Sequence, residues 1–150
     1  MEQTARSSDR EERLARARCS LEGLSVGDAF GDRFFLPVEE STARIQARLL
    51  PTPPWLYTDA TLMALSIVST LRHHGVIDQD FLAQSFAEQY DPSRGYGPSM
   101  HRLLTALRAG DPWREVASGQ FAGQGSFGTK RGHAGAAYWS LLCRGHGDGG

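Results

Sequence analysis

The sequence is poor in several features that mark whole classes of protein. Its 150 residues contain two cysteines, Cys19 and Cys143, which lie far apart and lack the close spacing of zinc ligands. No apolar run reaches the length of a membrane span, and the amino terminus lacks the apolar core of a signal peptide. We therefore expect a cytoplasmic protein with no membrane partner.

A large excess of charge of either sign is also missing. The 16 basic and 17 acidic residues give a net charge of −1 and a pI near 6.5. Proteins that bind nucleic acid through its phosphates usually carry a basic surface, so we expect no direct nucleic-acid footprint. With 40% hydrophobic residues, the chain has enough apolar material for one domain with a core.

Apolar residues recur at helical spacing, as in Leu14, Ala17 and Leu21, and no long stretch alternates as a half-buried strand would. Gly75 and Gly110 follow two such segments, and glycine commonly ends helices. The pattern predicts an all-α fold, a helical bundle. The predicted helices span about residues 11–30, 42–50, 59–74, 81–90, 100–110 and 111–117, with a loop at 31–42.

The start of the longest apolar helix carries a cluster of oxygen-bearing side chains. Thr58, Asp59 and Thr61 lie where unpaired backbone N–H groups and the positive end of the helix dipole favour such residues. The apolar residues that follow, among them Met63 and Leu65, should anchor the cluster in a core. One explanation is ordinary capping of the helix, which the local pattern alone favours. The other is a site for a hard cation such as magnesium, which prefers oxygen ligands.

A glycine-rich stretch at residues 119–128 is the second candidate site, and it contains Ser126 and Phe127. Free backbone N–H groups and a small hydroxyl there could bind phosphate or ribose oxygens. The spacing is not that of a phosphate-binding P-loop, and flexible loops of this composition are common. The residues alone leave both explanations open.

Four short segments, taken in order, resemble the amino-terminal half of the ADP-ribosylglycohydrolase family, which includes the dinitrogenase-reductase-activating glycohydrolases. They read GLSVGDAFG at 23–31, TDATLMA at 58–64, GYG at 95–97 and GQGSFG at 123–128. The resemblance runs from about residue 14 to residue 128. It rests on the four segments in register, since no single one is decisive.

The resemblance implies an all-helical hydrolase that cleaves the glycosidic bond between ADP-ribose and an acceptor, with two magnesium ions at the base of a cleft. It implies that Thr58 and Asp59 are magnesium ligands and that Asp59 is the catalytic residue. Its implied partner is ADP-ribose or an ADP-ribosylated substrate. The substrate-binding residues it implies are Ser126, Phe127 and Gly128 along the ADP-ribose, and Gly95, Tyr96 and Gly97 near the rim of the site.

Two residues depart from the family pattern at the site. The usual Thr-Asp-Asp-Thr motif has Ala60 at its third position, and Ala60 offers no oxygen to a metal. Phe35 falls where many members place a glutamate. Because a divalent cation depends on its few anionic ligands, losing one should weaken metal binding severely. We expect an impaired hydrolase; the alternatives are an inactive module that binds ADP-ribose or a protein, and a non-functional remnant.

Residues 129–150 do not continue the family pattern, and the second aspartate-rich motif of the family is absent from the chain. A one-base shift in suitable codons for residues 132–135 restores Ala-Met-Arg, so we hypothesise that this tail is frameshift-derived. The expected organisation is a flexible amino terminus at 1–10, a partial family domain at 11–128 and an irregular tail at 129–150. A truncated domain exposes an apolar face, so we also expect self-association.

Four other residues have plain structural interpretations. Gly23 should allow close packing of a second helix, and His101 should point to solvent. Trp55 and Trp113 are expected to be packing residues rather than platforms on which a ligand stacks.

Overall fold

The computed structural model describes residues 2–119, which form six α-helices and one short 3-10 helix and contain no β-strand. The predicted all-α fold is confirmed. The chain divides into two compact units, Met1–Tyr57 and Thr58–Gly150. Along these described residues, no helix is both long enough and apolar enough to cross a membrane.

The first unit contains α1 (Glu2–Asp32) and α2 (Val38–Gln46). The first helix begins at Glu2 rather than near residue 11. Part of its support is local, because ion pairs one turn apart join Asp9 to Arg13 at 3.2 Å and Glu22 to Arg18 at 2.8 Å. Such exposed pairs each stabilise a helix only slightly.

The second helix lies four residues earlier than predicted, so the prediction of a loop through residue 42 is wrong. Pro37 occupies the N-cap position, and Glu39 and Glu40 follow in the first turn, where acidic side chains favour the positive end of the helix. The helix ends at Gln46 rather than Leu50 because Arg48 adopts a left-handed conformation with φ 52°.

The close helix packing predicted for Gly23 is not seen within the first unit. A Cβ placed on Gly23 or on Gly27 would meet no atom within 4 Å in the described part of that unit. Trp55 does act as a packing residue: its ring meets the ring of Phe30 edge-on at 5.2 Å, and its Nε1 donates to the carbonyl of Pro51.

Several large apolar side chains of the first unit are exposed. Their presence is consistent with the predicted self-association, which stays a prediction. The most exposed are Val26, Val38, Ile45, Leu50 and Leu56, each with 59% or more of its surface accessible.

The second unit contains α3 (Asp59–His74), α4 (Gln79–Gln89), the 3-10 helix (Pro92–Arg94), α5 (Pro98–Ala109) and α6 (Trp113–Gly119). Gly75 and Gly110 end α3 and α5 with φ of 74° and 95°, as the sequence predicted. Asp78 caps α4 by accepting a hydrogen bond from the N–H of Phe81 at 2.8 Å.

The buried side of α3 is a seam of residues that includes polar as well as apolar side chains. Asp59, Met63, Ser66 and Thr70 follow one another at intervals of four, three and four residues, and all four are buried. The buried hydroxyl of Thr70 has a hydrogen-bond partner, because it donates to the backbone carbonyl of Ser66 at 2.9 Å. Leu65, by contrast, is 36% exposed, so the prediction that the whole apolar run anchors the helix is only partly right.

The core of the second unit lies among α3, α4 and α5. Leu82 of α4 and Leu103 and Leu104 of α5 are completely buried, and Met63 of α3 is 1% exposed. Burying one such side chain contributes about 1.5–3 kcal/mol, so this set fixes how α4 packs on its two neighbours. The same packing positions the start of α3 and the loop between α4 and α5.

Candidate functional site

The structure does not give the start of α3 an ordinary helix cap. Thr58 holds the N-cap position in an extended conformation, but its side chain makes no capping hydrogen bond in the described part of the chain. Its hydroxyl instead donates to Oδ1 of Asp59 at 3.2 Å. This hydrogen bond orients the carboxylate of Asp59. A residue that only caps the helix would instead bond a backbone N–H of the first turn.

The oxygen-bearing side chains that follow are buried. Asp59 and Thr61 are each 4% exposed, at the end of the helix where the dipole favours negative charge. Burying a carboxylate is costly unless groups around it compensate for lost hydration. Ala60, between them, is half-buried and contributes only a methyl group.

The loop between α4 and α5 lies directly against this cluster. Gly95 has φ 78°, a left-handed conformation that favours glycine, and a Cβ built there would lie 3.9 Å from the Cβ of Thr58. Gly97 is buried and serves as the N-cap residue of α5. Two segments that the sequence proposed separately, residues 58–59 and 95–97, therefore meet in space.

An internal network holds this loop in shape. Asp91 accepts hydrogen bonds from the N–H of Ser93 at 3.0 Å and from its hydroxyl at 2.7 Å. The same carboxylate pairs with Nε of Arg94 at 3.1 Å. These bonds close the 3-10 turn immediately before Gly95, so the backbone reaches Thr58 in a defined conformation.

Sequence reasoning missed an aromatic cluster behind the loop, formed by Tyr90, Tyr96 and His101. The ring of Tyr96 meets that of Tyr90 edge-on at 5.1 Å and that of His101 at 5.9 Å. The hydroxyl of Tyr90 forms a short hydrogen bond with Nδ1 of His101. The expectation that His101 points to solvent is wrong, because the chain reverses at the loop and brings the start of α5 back against Tyr90.

Tyr96 itself is 6% exposed. Burial raises the pKa of its phenol above the ordinary value, and the negative charges of Asp59 and Asp91 raise it further. The phenol therefore stays protonated at neutral pH and keeps its O–H as a hydrogen-bond donor.

The side chains at the start of α3 carry the oxygen atoms that magnesium prefers, but there are too few of them to hold the ion on their own. Hydroxyl and carboxylate oxygens are the ligands that a hard cation prefers. Within residues 2–119, however, no three His, Cys, Asp or Glu side chains converge in a way that could hold a metal ion. Asp59 and the two threonine hydroxyls beside it are the donors that α3 offers.

The structure does not describe the remaining predicted substrate-binding residues. Ser126, Phe127 and Gly128 lie outside the described residues, as does the tail at 129–150. Phe35, at the position where a glutamate was expected, is 50% exposed on the first unit.

A groove of about 490 Å³ lies elsewhere, among α4, α5 and α6. Trp113 is one of the residues that line it; its Nε1 donates to Oδ1 of Asp80, and its ring lies 4.4 Å from the guanidinium of Arg114. Trp113 thus acts as a packing residue that ties α6 to α4. The groove contains none of the predicted site residues.

Comparisons with known proteins support the resemblance seen in the sequence. The profile of the family described as ADP-ribosylglycohydrolase matches residues 9–142, which extends past residue 128, where we expected the resemblance to end. Relatives named ADP-ribosylhydrolase ARH3 are 31% identical over 128 residues in Danio rerio, 32% over 135 in Homo sapiens and 39% over 133 in Bos taurus. No solved structure matches the chain.

Each of these alignments covers 77% of this chain but only 34–36% of the relative. The chain thus spans about a third of the length of the curated relatives it matches. The family profile, by contrast, covers most of the chain, and it includes the Thr58–Asp59 pair and the loop that meets Thr58. The chain belongs to the ADP-ribosylglycohydrolase family.

Proposed function

We propose that this chain carries an ADP-ribose hydrolase-like site at the start of α3, weakened by the loss of one metal ligand. The observation that carries the proposal is the Thr58–Asp59 pair, which is hydrogen-bonded at 3.2 Å, has a buried carboxylate and is approached by the Gly95 turn at Thr58. Membership of the ADP-ribosylglycohydrolase family supports ADP-ribose as the group recognised. The substrate is then an acceptor that carries ADP-ribose.

In this proposal Thr58 and Asp59 hold magnesium, and Asp59 is the catalytic residue. When bound, magnesium supplies positive charge that orients sugar oxygens and stabilises charge developing during cleavage of the glycosidic bond. The contribution of the chain is to fix the ligands beforehand. The Thr58 hydroxyl fixes one carboxylate oxygen of Asp59, and burial at the helix start keeps competing water away.

Ser126, Phe127 and Gly128 are proposed to contact the ADP-ribose, as the family resemblance implies. Gly95 and Gly97 are proposed to form the near edge of the same site, because their loop already meets Thr58. A small residue at position 95 leaves room for a ligand beside the cluster. A side chain there would also be strained, given φ 78°.

The first test compares the native chain with Ala60→Asp for release of ADP-ribose from ADP-ribosylated serine or arginine peptides, with magnesium and with EDTA. Loss of groups that merely support metal ligands already costs about 10- to 100-fold. Restoring a direct ligand should therefore raise magnesium-dependent release by at least about tenfold. Asp59→Asn in the Ala60→Asp background is the matched control, and it should abolish the gain.

Equal release by the native chain and Ala60→Asp would show that Ala60 does not limit the site. Release that persists in EDTA would overturn the assignment of magnesium. Silence in both proteins, with no ligand binding either, would overturn the proposed function.

Ala60 also favours a second candidate, binding of ADP-ribose without cleavage. Alanine at position 60 supplies no metal donor, but the Thr58–Asp59 hydrogen bond and the adjoining loop are still formed. Thermal melting with and without free ADP-ribose separates the two candidates, because a ligand that binds the folded state raises the melting temperature. A shift in the native chain without any release of ADP-ribose would support the binding module.

A further inference from the structure

The groove among α4, α5 and α6 runs along one face of α4. The lining residues of that helix include Asp80, Ala83, Ala87 and Glu88, which the helical period places on the same side. The first and last of them are eight residues apart, which corresponds to about 12 Å along the helix axis. With a volume of about 490 Å³, the groove has the length and the space to hold a short peptide segment.

The floor of the groove is apolar. Ala83 and Ala87 are buried and bring only methyl groups to the α4 side. Leu107 of α5 and Trp113 of α6 are half-buried and line the groove as well, together with Pro112 between the two helices. Small side chains on α4 beside larger ones on the other elements leave a hollow that an apolar side chain of a partner could fill.

The rim of the groove is acidic. The charged lining residues in the described part of the chain are Asp80, Glu88, Asp111 and Arg108, so three negative charges and one positive charge give a net charge of −2. Arg108 donates to backbone carbonyls at the end of α4. Arg114 pairs with Asp80 at 2.8 Å, whereas Glu88 accepts a hydrogen bond from a glutamine amide, which leaves its charge in place. The rim therefore stays negative and favours a cationic partner.

One basic side chain of the chain itself already shows how such a cation is held here. The guanidinium of Arg114 lies 4.4 Å from the centre of the Trp113 ring and pairs with Asp80. Lysine and arginine cover apolar surface with their stems while their charged ends reach an anion. A basic side chain from a partner could make the same two kinds of contact, with the apolar floor and with Glu88 or Asp111.

We propose that this groove docks a basic peptide segment of a partner protein. An apolar side chain of the peptide lies on the floor formed by α4, and lysine or arginine side chains pair with Glu88 and Asp111. The proposal rests on a floor of small apolar residues beside an acidic rim. It goes beyond the proposed function, because docking here needs no ADP-ribose and is measured without it.

The test is binding of a fluorescein-labelled Lys-Ala-Leu-Ala-Lys peptide to the full chain, followed by fluorescence anisotropy. In an extended peptide its two lysines and its leucine share one face, with the lysines about 13 Å apart. Glu88→Lys combined with Asp111→Lys should raise the Kd by about tenfold, because each reversal replaces an attraction with a repulsion. Glu11→Lys combined with Glu39→Lys is the matched control. It changes the net charge equally at exposed positions of the first unit and should raise the Kd by less than about twofold.

A second readout locates the peptide on the chain. Peptide binding should shift the tryptophan emission, and Trp113→Phe should remove this shift whereas Trp55→Phe should keep it. All variants are first compared by circular dichroism, so that only folded ones are scored.

Three results would overturn the proposal. The first is an equal rise in Kd for the two charge-reversed pairs, which would mean that the peptide responds to net charge and not to the groove. The second is equal binding of a Glu-Ala-Leu-Ala-Glu peptide. The third is a dimer of the native chain that Glu88→Lys with Asp111→Lys dissociates while no peptide binds, which would assign the groove to a second copy of this chain.

Discussion

The two units of this chain reach helical structure by different physical routes. In the first unit, Ala29 and Pro51 are the buried residues between positions 9 and 57. The 31-residue α1 carries exposed ion pairs one turn apart, among them Asp9–Arg13 and Glu12–Arg16. In the second unit, Leu82, Leu103 and Leu104 are completely buried between neighbouring helices.

The difference teaches where a functional site can be built in this chain. A carboxylate such as Asp59 can be kept dry and oriented only by a scaffold whose own positions are fixed by packing. The second unit supplies such a scaffold, because the buried seam of α3 that begins at Asp59 also contains Met63, which is 1% exposed. Helices held by exposed ion pairs do not provide that precision, since each pair stabilises the folded state only slightly.

The largest expected effect on the free energy of unfolding comes from truncating a buried leucine side chain in the core of the second unit. Leu103→Ala should lower the free energy of unfolding by about 2–5 kcal/mol, because it removes transfer energy and leaves a cavity. Leu14→Ala is the matched control: Leu14 is 49% exposed on α1, and its truncation should change the free energy by less than about 0.5 kcal/mol. Urea unfolding followed by circular dichroism measures both. Equal losses in the two variants would contradict the contrast between the units.

Sequence periodicity predicted the helices well and the packing poorly, and α3 shows why. Its bounds were predicted to the residue, because Gly75 and the apolar run define them. Its buried side was not, since Ser66 and Thr70 are buried while Leu71 is 43% exposed. A helix that is apolar on most sides does not reveal which side faces its neighbours, and that choice depends on contacts distant in sequence.

The candidate site shows the same limit. Thr58, Asp59 and Gly95 were identified from the sequence, and the structure brings them together. Tyr90 and His101 were not identified as partners, because their contact depends on how the loop at 91–97 reverses the chain. Two glycines on either side of an aromatic residue predict a turn, but they do not predict which residues the aromatic ring will contact.

An intermediate effect is expected where one side chain ties α5 to the end of α4. Arg108 donates to the carbonyls of Ala87 at 2.7 Å, Glu88 at 3.2 Å and Tyr90 at 2.6 Å. These are carbonyls that the end of a helix leaves without intrahelical partners. Arg108→Ala should cost about 1.5 kcal/mol, the low end for hydrogen bonds to a charged group, because Arg108 is exposed to solvent.

Arg102→Ala is the control for that substitution, since Arg102 is an exposed arginine on the same helix. It should leave the urea midpoint nearly unchanged. Loss of stability in both variants to the same extent would mean that general charge, and not the bonds to the end of α4, accounts for the effect of Arg108→Ala. The aromatic cluster gives a second check, because Arg108→Ala also removes the cation beside Tyr90.

The smallest effect should come from the exposed tie between α4 and α6, and it should depend on pH. The hydrogen bond from Trp113, with help from Arg114, holds the pKa of Asp80 below its ordinary value. A carboxylate whose pKa is lower in the folded state stabilises that state above the unfolded pKa of about 3.9. The stabilisation is lost as the pH falls through the lowered value. Asp80→Asn should therefore lower the melting temperature at about pH 6, and the gap to the native chain should close under acid.

Trp113→Phe tests the assigned cause, because it removes the main donor to Asp80 and keeps an aromatic ring. In that background the acid-dependent part of the Asp80→Asn effect should shrink, since the pKa of Asp80 returns toward its ordinary value. A gap in melting temperature that stays constant from about pH 6 to about pH 3 would show that Asp80 stabilises α6 without its charge. The contact between Asp80 and α6 would then stabilise the fold as the uncharged packing of the core does, and not as the ion pairs of α1 do. The difference between exposed charge and buried packing would not extend to this edge of the second unit.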